Sequence, residues 1–185
     1  MSAGESAFAP TEGGQAGPRR YFGKYRGMVL NNVDPEQRGR LLVQVPDVTG
    51  LLVSSWALPC LPVAGIQNGF FAVPLPGSGV WVEFEQGDPD YPVWTGCFWG
   101  SAAEVPALAR LAIPPIPSFT LQTPLQNGLT VNDLPGPTGG IVLKSATGAT
   151  LIVNDTGIYI QNGKGASLVM VGPTVTVNQG ALVVT

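Results

Sequence analysis

Residues 84–100 read FEQGDPDYPVWTGCFWG and bring Glu85, Asp88 and Asp90 within six positions, flanked by Tyr91, Trp94, Phe98 and Trp99. Carboxylates beside aromatic rings are the raw material of glycoside hydrolysis. That reaction needs two carboxyl groups across a sugar, about 5–9.5 Å apart, one of them in an apolar setting that keeps it protonated. The local sequence argues otherwise. In GDPDYP both acids fall in a turn, and Asp ahead of Pro commonly bonds nearby backbone N–H groups. Gly87, Asp88, Pro89 and Asp90 are therefore expected to turn the chain, and no catalytic residue is expected.

Other chemistries fail on residue supply. The chain has no histidine, which removes Ser-His-Asp and Cys-His nucleophilic centres. Two distant cysteines without histidine make no zinc site. Neither a P-loop nor a dinucleotide fingerprint occurs, and the glycines stand in turn contexts. Asp133 and Asp155 follow short apolar runs as VND and read as turn-makers, because a calcium loop needs more oxygen ligands close in sequence. No cofactor or metal is expected. Cys60 (LPCLP) and Cys97 (GCFW) lie in apolar runs and read as buried, reduced thiols.

Composition narrows the class further. Charged residues make up 11% of the chain and the formal net charge is −3. Nine Lys and Arg form no cluster beyond Arg19-Arg20, so the basic footprint of a nucleic-acid protein is missing. With 25 Gly and 18 Pro in 185 residues, long helices are disfavoured and an all-β chain rich in turns is expected. Residues 1–20 read as a flexible tail without the basic start and apolar core of a signal peptide, so synthesis and assembly in the cytoplasm are expected. No apolar run reaches the roughly 18 residues of a membrane helix.

The elements that must carry these residues come in two textures. Over residues 21–100 strands of ordinary length alternate with strong turns. Residues 25–30 and 40–45 flank NNVDPEQRG, where Asp34-Pro35 starts a turn and Gly39 can supply a positive φ. Leu41, Val43 and Val45 point one way, as do Val80, Val82 and Phe84, while Trp81, Glu83 and Glu85 point the other. About five strands in this span suit a small closed barrel such as an oligonucleotide/oligosaccharide-binding (OB) fold, with an open sandwich as the alternative. Residues 101–118, with four prolines, read as a stiff linker holding at most one helical turn near 107–111.

Residues 119–185 beat faster. Eight apolar triplets recur, and the last six start at intervals of 10, 7, 10, 7 and 7 residues, separated by turns such as SATGA, NDTG and NGKGA. A strand this short cannot bury its own apolar face, so stacking of repeats must supply the core. The period is too brief for one coil of a single-chain β-helix. Three chains winding round one axis, each covering a third of every turn, resolve that shortage and predict an intertwined homotrimeric β-helix. Its shared axis is expected to collect Leu129, Val131, Ile141, Leu143, Leu151, Val153, Ile158, Ile160, Leu168, Met170, Val175, Val177, Leu182 and Val184. At about 4.8 Å per strand, eight levels give a rod roughly 40 Å long.

YFGKYRGMVLNNVDPEQRGRLLVQVPDV, SSWALPCLPVAG and VWVEFEQGDPDYPVWTGCFWG together resemble the OB domain of phage baseplate assembly protein V and its VgrG-like relatives. GGIVLKSATGATLIVNDTGIYIQNGKGA and GPTVTVNQGALVV resemble the β-helical needle that comes after that domain in short spikes of contractile injection systems. The resemblance implies a trimeric central spike that closes the tail tube beneath a hub protein and is driven through an envelope by sheath contraction. Some relatives carry a muramidase between the two parts, for which residues 101–118 are too short. Others end in a histidine-bound iron, which a chain without histidine cannot hold. Capping of the C-terminal apex by a separate PAAR-type tip protein is what the resemblance then implies.

Two rival functions attach to the same residues. A carbohydrate-binding module would stack glycan on Trp56, Trp94 or Trp99, although their apolar surroundings favour core or interface. A wall-degrading enzyme would use Asp88 and Asp90. Outward Val142, Ile152, Val169 and Val183 on the needle raise a membrane-inserting surface, against the plainer alternative of packing between chains.

Overall fold

The computed structural model describes residues 19–112 and 114–185, so the tail expected over residues 1–20 lies outside the described residues except for its last two. The chain divides into two compact units, one ending at Gly100 and the other beginning at Ser101.

In the first unit β1 (Tyr25–Asn31) pairs antiparallel with β2 (Leu42–Gln44). A one-turn helix, α1 (Pro46–Thr49), comes after β2 and precedes the two-residue strand β3 (Leu58–Pro59). A two-residue hairpin, β4 (Ala64–Gly65) with β5 (Asn68–Gly69), interrupts the long loop before β6 (Gly79–Phe84), and β7 (Pro92–Phe98) returns from it. The sheet order is β2-β1-β6-β7-β3, with β3 parallel to β7. A bridge between Leu41 and Ala57 joins β3 back to β2 and closes the ring. This is the five-strand connectivity of an OB barrel.

Alternation along the strands explains the core. Leu41, Val43, Val45, Val80 and Val82 are fully buried, and Val29, Ala57, Phe84 and Trp94 complete the cluster. Tyr21 and Tyr25 pack their rings against Phe84, carrying the core to the chain's entry. In β7 the pairing shifts between Trp81 and Val82, leaving Thr95 as an extra residue. Such a bulge reverses the in–out sense of the residues beyond it. Phe98 therefore lies on the outer side, against Trp81 at 5.0 Å between ring centroids.

The second unit opens with short 3₁₀ turns at Ala102–Glu104 and Ala107–Arg110. This segment, expected to be a stiff linker with at most one helical turn near 107–111, has two short turns and packs within its unit. Leu108 and Ala112 are buried, and the Leu108 N–H donates to Gln122 Oε1 at 3.0 Å. Eight strands complete the unit: β8 (Ser118–Gln122), β9 (Gly128–Asn132), β10 (Gly140–Lys144), β11 (Thr150–Asn154), β12 (Gly157–Gln161), β13 (Ser167–Val171), β14 (Thr174–Val177) and β15 (Leu182–Val184). They form one antiparallel sheet laid down in chain order. Each of the eight expected levels is thus one strand, hydrogen-bonded to its neighbours in sequence. One chain thus forms a continuous antiparallel ribbon, its ladder complete from β8 to β15, in place of the expected strand path that winds round an axis with two other chains.

Asparagines shape the turns of this sheet. Asn132 Oδ1 accepts from Leu134 N at 3.0 Å, and Asn154 Oδ1 accepts from the N–H groups of Thr156 (2.9 Å) and Gly157 (3.1 Å). Asn162 does the same for Lys164 and Ala166. The side-chain carbonyl mimics a backbone acceptor two residues on, which is why Asn favours turns. Of the two aspartates expected to make these turns, Asp155 instead accepts from Gly136 N, 19 residues away, at 3.0 Å.

Candidate functional site

Of the three acids in residues 84–100, Asp88 is held by its own turn and by the chain entering the barrel. Asp88 Oδ1 accepts from the Asp90 N–H at 3.1 Å, and Oδ2 meets the Arg20 guanidinium at 3.1 Å. The Tyr91 N–H donates to the Asp88 carbonyl, and Ser55 Oγ donates to the Asp90 carbonyl at 2.6 Å. Gly87, at φ +76°, has no room for a side chain, since a Cβ would stand 3.0 Å from Tyr21 N and from the Phe22 ring. The segment entering the barrel crosses directly over this glycine, and Tyr21 N donates to its carbonyl at 2.8 Å. Asp88 thus serves the turn with its side chain, and Asp90 serves it with its backbone carbonyl.

The equivalent acid of the first hairpin is bound more deeply. Asp34, 8% exposed, accepts from the N–H groups of Glu36, Arg38 and Arg40 at 2.8–3.2 Å. It also takes two bonds from the Arg40 guanidinium, at 3.0 Å to Nε and 2.7 Å to Nη2. The Arg40 bonds, helped by those backbone donors against the opposing effect of burial, hold the Asp34 carboxyl far below the usual carboxylate range. Gly39 at φ +76° lets the loop after Pro35 close, and its carbonyl accepts the Trp94 Nε1–H at 3.1 Å. Asp34, Pro35 and Gly39 thus tie one barrel loop to the core.

The tryptophans make no sugar platform. Trp94 is buried, Trp56 lies under Arg40 at 5.3 Å, and Trp81 lies under Arg26 at 5.3 Å beside Phe98. Trp99 alone among the four is exposed, at 61%. Cys60 and Cys97 are both exposed free thiols, which corrects the expectation of burial. Cys60 follows the end of β3 and Cys97 is the penultimate residue of β7, where partial burial still raises its thiol pKa. Among the described residues no three His, Cys, Asp or Glu side chains gather closely enough to hold a metal ion.

An extended apolar surface lies on the sheet of the second unit. Register places Leu129, Val131, Ile141, Leu143, Leu151, Val153, Ile158, Ile160, Leu168, Met170, Val175, Val177, Leu182 and Val184 on a single face of the sheet. Phe119 and Leu121, which the repeat left out of this set, extend the same face onto β8. Of these sixteen apolar side chains eight are exposed, Phe119 and Leu182 above 55%, and eight are half-buried. The opposite face differs in kind. It carries Thr120, Thr130, Tyr159 and Thr176 among its aliphatics, and the Thr120 and Thr130 hydroxyls bond at 3.0 Å. The Ala107–Arg110 turn packs on β8 and β9, and a Cβ on Gly128 would stand 2.5 Å from Leu108 Cδ1. Of the positions expected to point outward, Val142 is 7% exposed, whereas Val183 is 51% exposed.

A contiguous apolar face of sixteen side chains greatly exceeds the isolated exposed residues normal for a monomer, and such patches mark interaction sites. No helix among the described residues is long and apolar enough to cross a membrane. Comparison with known families divides the chain where its texture changes. Residues 25–99 match the type VI secretion system/phage-baseplate injector OB domain, and residues 118–183 match the phage baseplate V C-terminal trimerisation domain. No curated protein gives a significant match. A match to the OB domain followed in the same chain by a match to the trimerisation domain, together over residues 25–99 and 118–183, makes this chain a member of the phage baseplate V family of baseplate spike proteins.

Proposed function

We propose that the chain is the homotrimeric central spike of a contractile tail or injection particle. In this reading three copies set their apolar sheet faces round one axis as the three sides of a β needle, and three OB barrels form its base. The spike closes the end of the tube, sits beneath a hub protein, receives a separate PAAR-type tip at its C-terminal apex and is driven through the target envelope when the sheath contracts. Its work is mechanical and not enzymatic.

The observation that carries the reading is the sheet face of sixteen apolar side chains, none of them buried within one chain. Complete burial of such a side chain is worth about 1.5–3 kcal/mol, so covering the open half of sixteen yields on the order of 10–20 kcal/mol per chain before the entropic cost of association. Loss of that area to solvent is what a trimer avoids. The mass of the purified chain in solution tests it. Three times the chain mass is expected, and a monomer overturns the reading. A peptidoglycan turnover assay on the same preparation is expected to give no product.

A further inference from the structure

The ladder register sorts the apolar face into two columns of different chemistry. Leu121, Leu129, Leu143, Leu151, Leu168 and Leu182 stand directly across from one another from strand to strand, interrupted only by Ile160 and Val177. The second column, two residues along each strand, holds Val131, Ile141, Val153, Ile158, Val175 and Val184, with Phe119 and Met170 as its exceptions. One column is therefore built of long γ-branched side chains. The other is built mainly of β-branched ones, which are stiff at χ1.

We infer that the leucine column of each copy seats against the β-branched column of the next copy, and that this pairing fixes the copies parallel and level with one another. The inference rests on the trimer reading. Around a threefold axis along the stacking direction, each level is a triangle whose sides are single strands. Rotation carries each column onto its own kind, so every corner joins the leucine end of one strand to the β-branched end of its neighbour. The contact is heterologous and closes as a ring. Copies running antiparallel would instead set leucine against leucine and valine against valine. The unlike columns suit the parallel arrangement, because flexible leucines can fill the spaces between rigid β-branched neighbours while two stiff columns cannot interdigitate so readily.

Cysteine cross-linking of the full chain tests this in a background with Cys60→Ser and Cys97→Ser. One chain carries Leu143→Cys and the other Ile141→Cys, a pair on the same strand and hence the same level. Each is purified alone and after co-expression, then oxidised and run without reductant. The co-expressed sample is expected to give a covalent dimer in up to about half of the chains, from random assortment into threefold rings. Neither parent is expected to give it. Covalent dimers in a parent preparation, or none in any preparation of trimeric mass, overturn the column pairing while leaving the trimer intact. A monomeric mass overturns the trimer itself. Leu151→Cys with Val153→Cys repeats the measurement one strand along, in case the first pair disturbs folding.

Discussion

The two units solve the same problem in opposite ways. In the barrel, nine apolar side chains are at most 7% exposed with no help from outside the chain. In the sheet, sixteen equally apolar side chains have nothing over them. Both regions alternate in sequence, so alternation alone separates neither. What differs is closure. The barrel's strands curl until Leu41 meets Ala57, whereas the meander runs on in one direction and leaves its faces open. A ring buries its inside by itself, and a ribbon must find company.

The largest test of this contrast is Ile158→Asp. Three carboxylates at one level of an apolar axis cost several kcal/mol each. Sedimentation is expected to show monomers, while tryptophan fluorescence, all of it from the first unit, reports an intact barrel. A stable Ile158→Asp trimer would count heavily against a shared axis. Next is Leu41→Ala, at a position fully buried in the barrel, which should cost about 2–5 kcal/mol in urea denaturation monitored by tryptophan fluorescence. Trimeric mass is expected to survive it.

Asp34 sharpens the barrel side through pH. Its folded-state pKa lies below the ordinary value of 3.8, so the folded barrel binds a proton less readily than the unfolded chain does. The stabilisation is complete above that value and disappears as pH falls below it toward the folded-state pKa. Urea midpoints of the wild-type barrel should drop across that acidic window, and those of Asp34→Asn should lack this component. Equal slopes for the two would show that the Arg40 contact stabilises nothing. The smallest expected effect is on the sheet's covered side. Gly128→Ala would force Leu108 off the sheet and cost about 1–3 kcal/mol in thermal unfolding, with trimeric mass unchanged because the apolar face is untouched.

Much of the barrel was legible because half-buried strands advertise themselves by period two. Leu41, Val43 and Val45, and then Val80, Val82 and Phe84, were readable as inward and are inward. The apolar face was equally readable, since the triplets keep step with their turns. Three features were hidden. The extra Thr95 leaves no signature in sequence, yet it decides that Phe98 packs outside against Trp81. The VND motifs drew attention to Asp133 and Asp155, but Asn132 and Asn154 form the turns, because the last residue of each strand has the reach to the N–H two positions on. Leu108 and Ala112, isolated between prolines, show no periodicity, and only the open side of β8 and β9 gives them something to cover.

The order of the eight strands has a mechanical consequence. Backbone hydrogen bonds lie across a strand, so in a meander stacked strand on strand they point along the ribbon's length. Squeezing the ribbon end to end presses those bonds and the apolar columns together, and the load is shared by every rung at once. Pulling it end to end opens them one hairpin at a time, beginning at an end strand, β8 or β15, each with a neighbour on one side only. Such a ribbon is a strut: stiff against a thrust and weak against a tug.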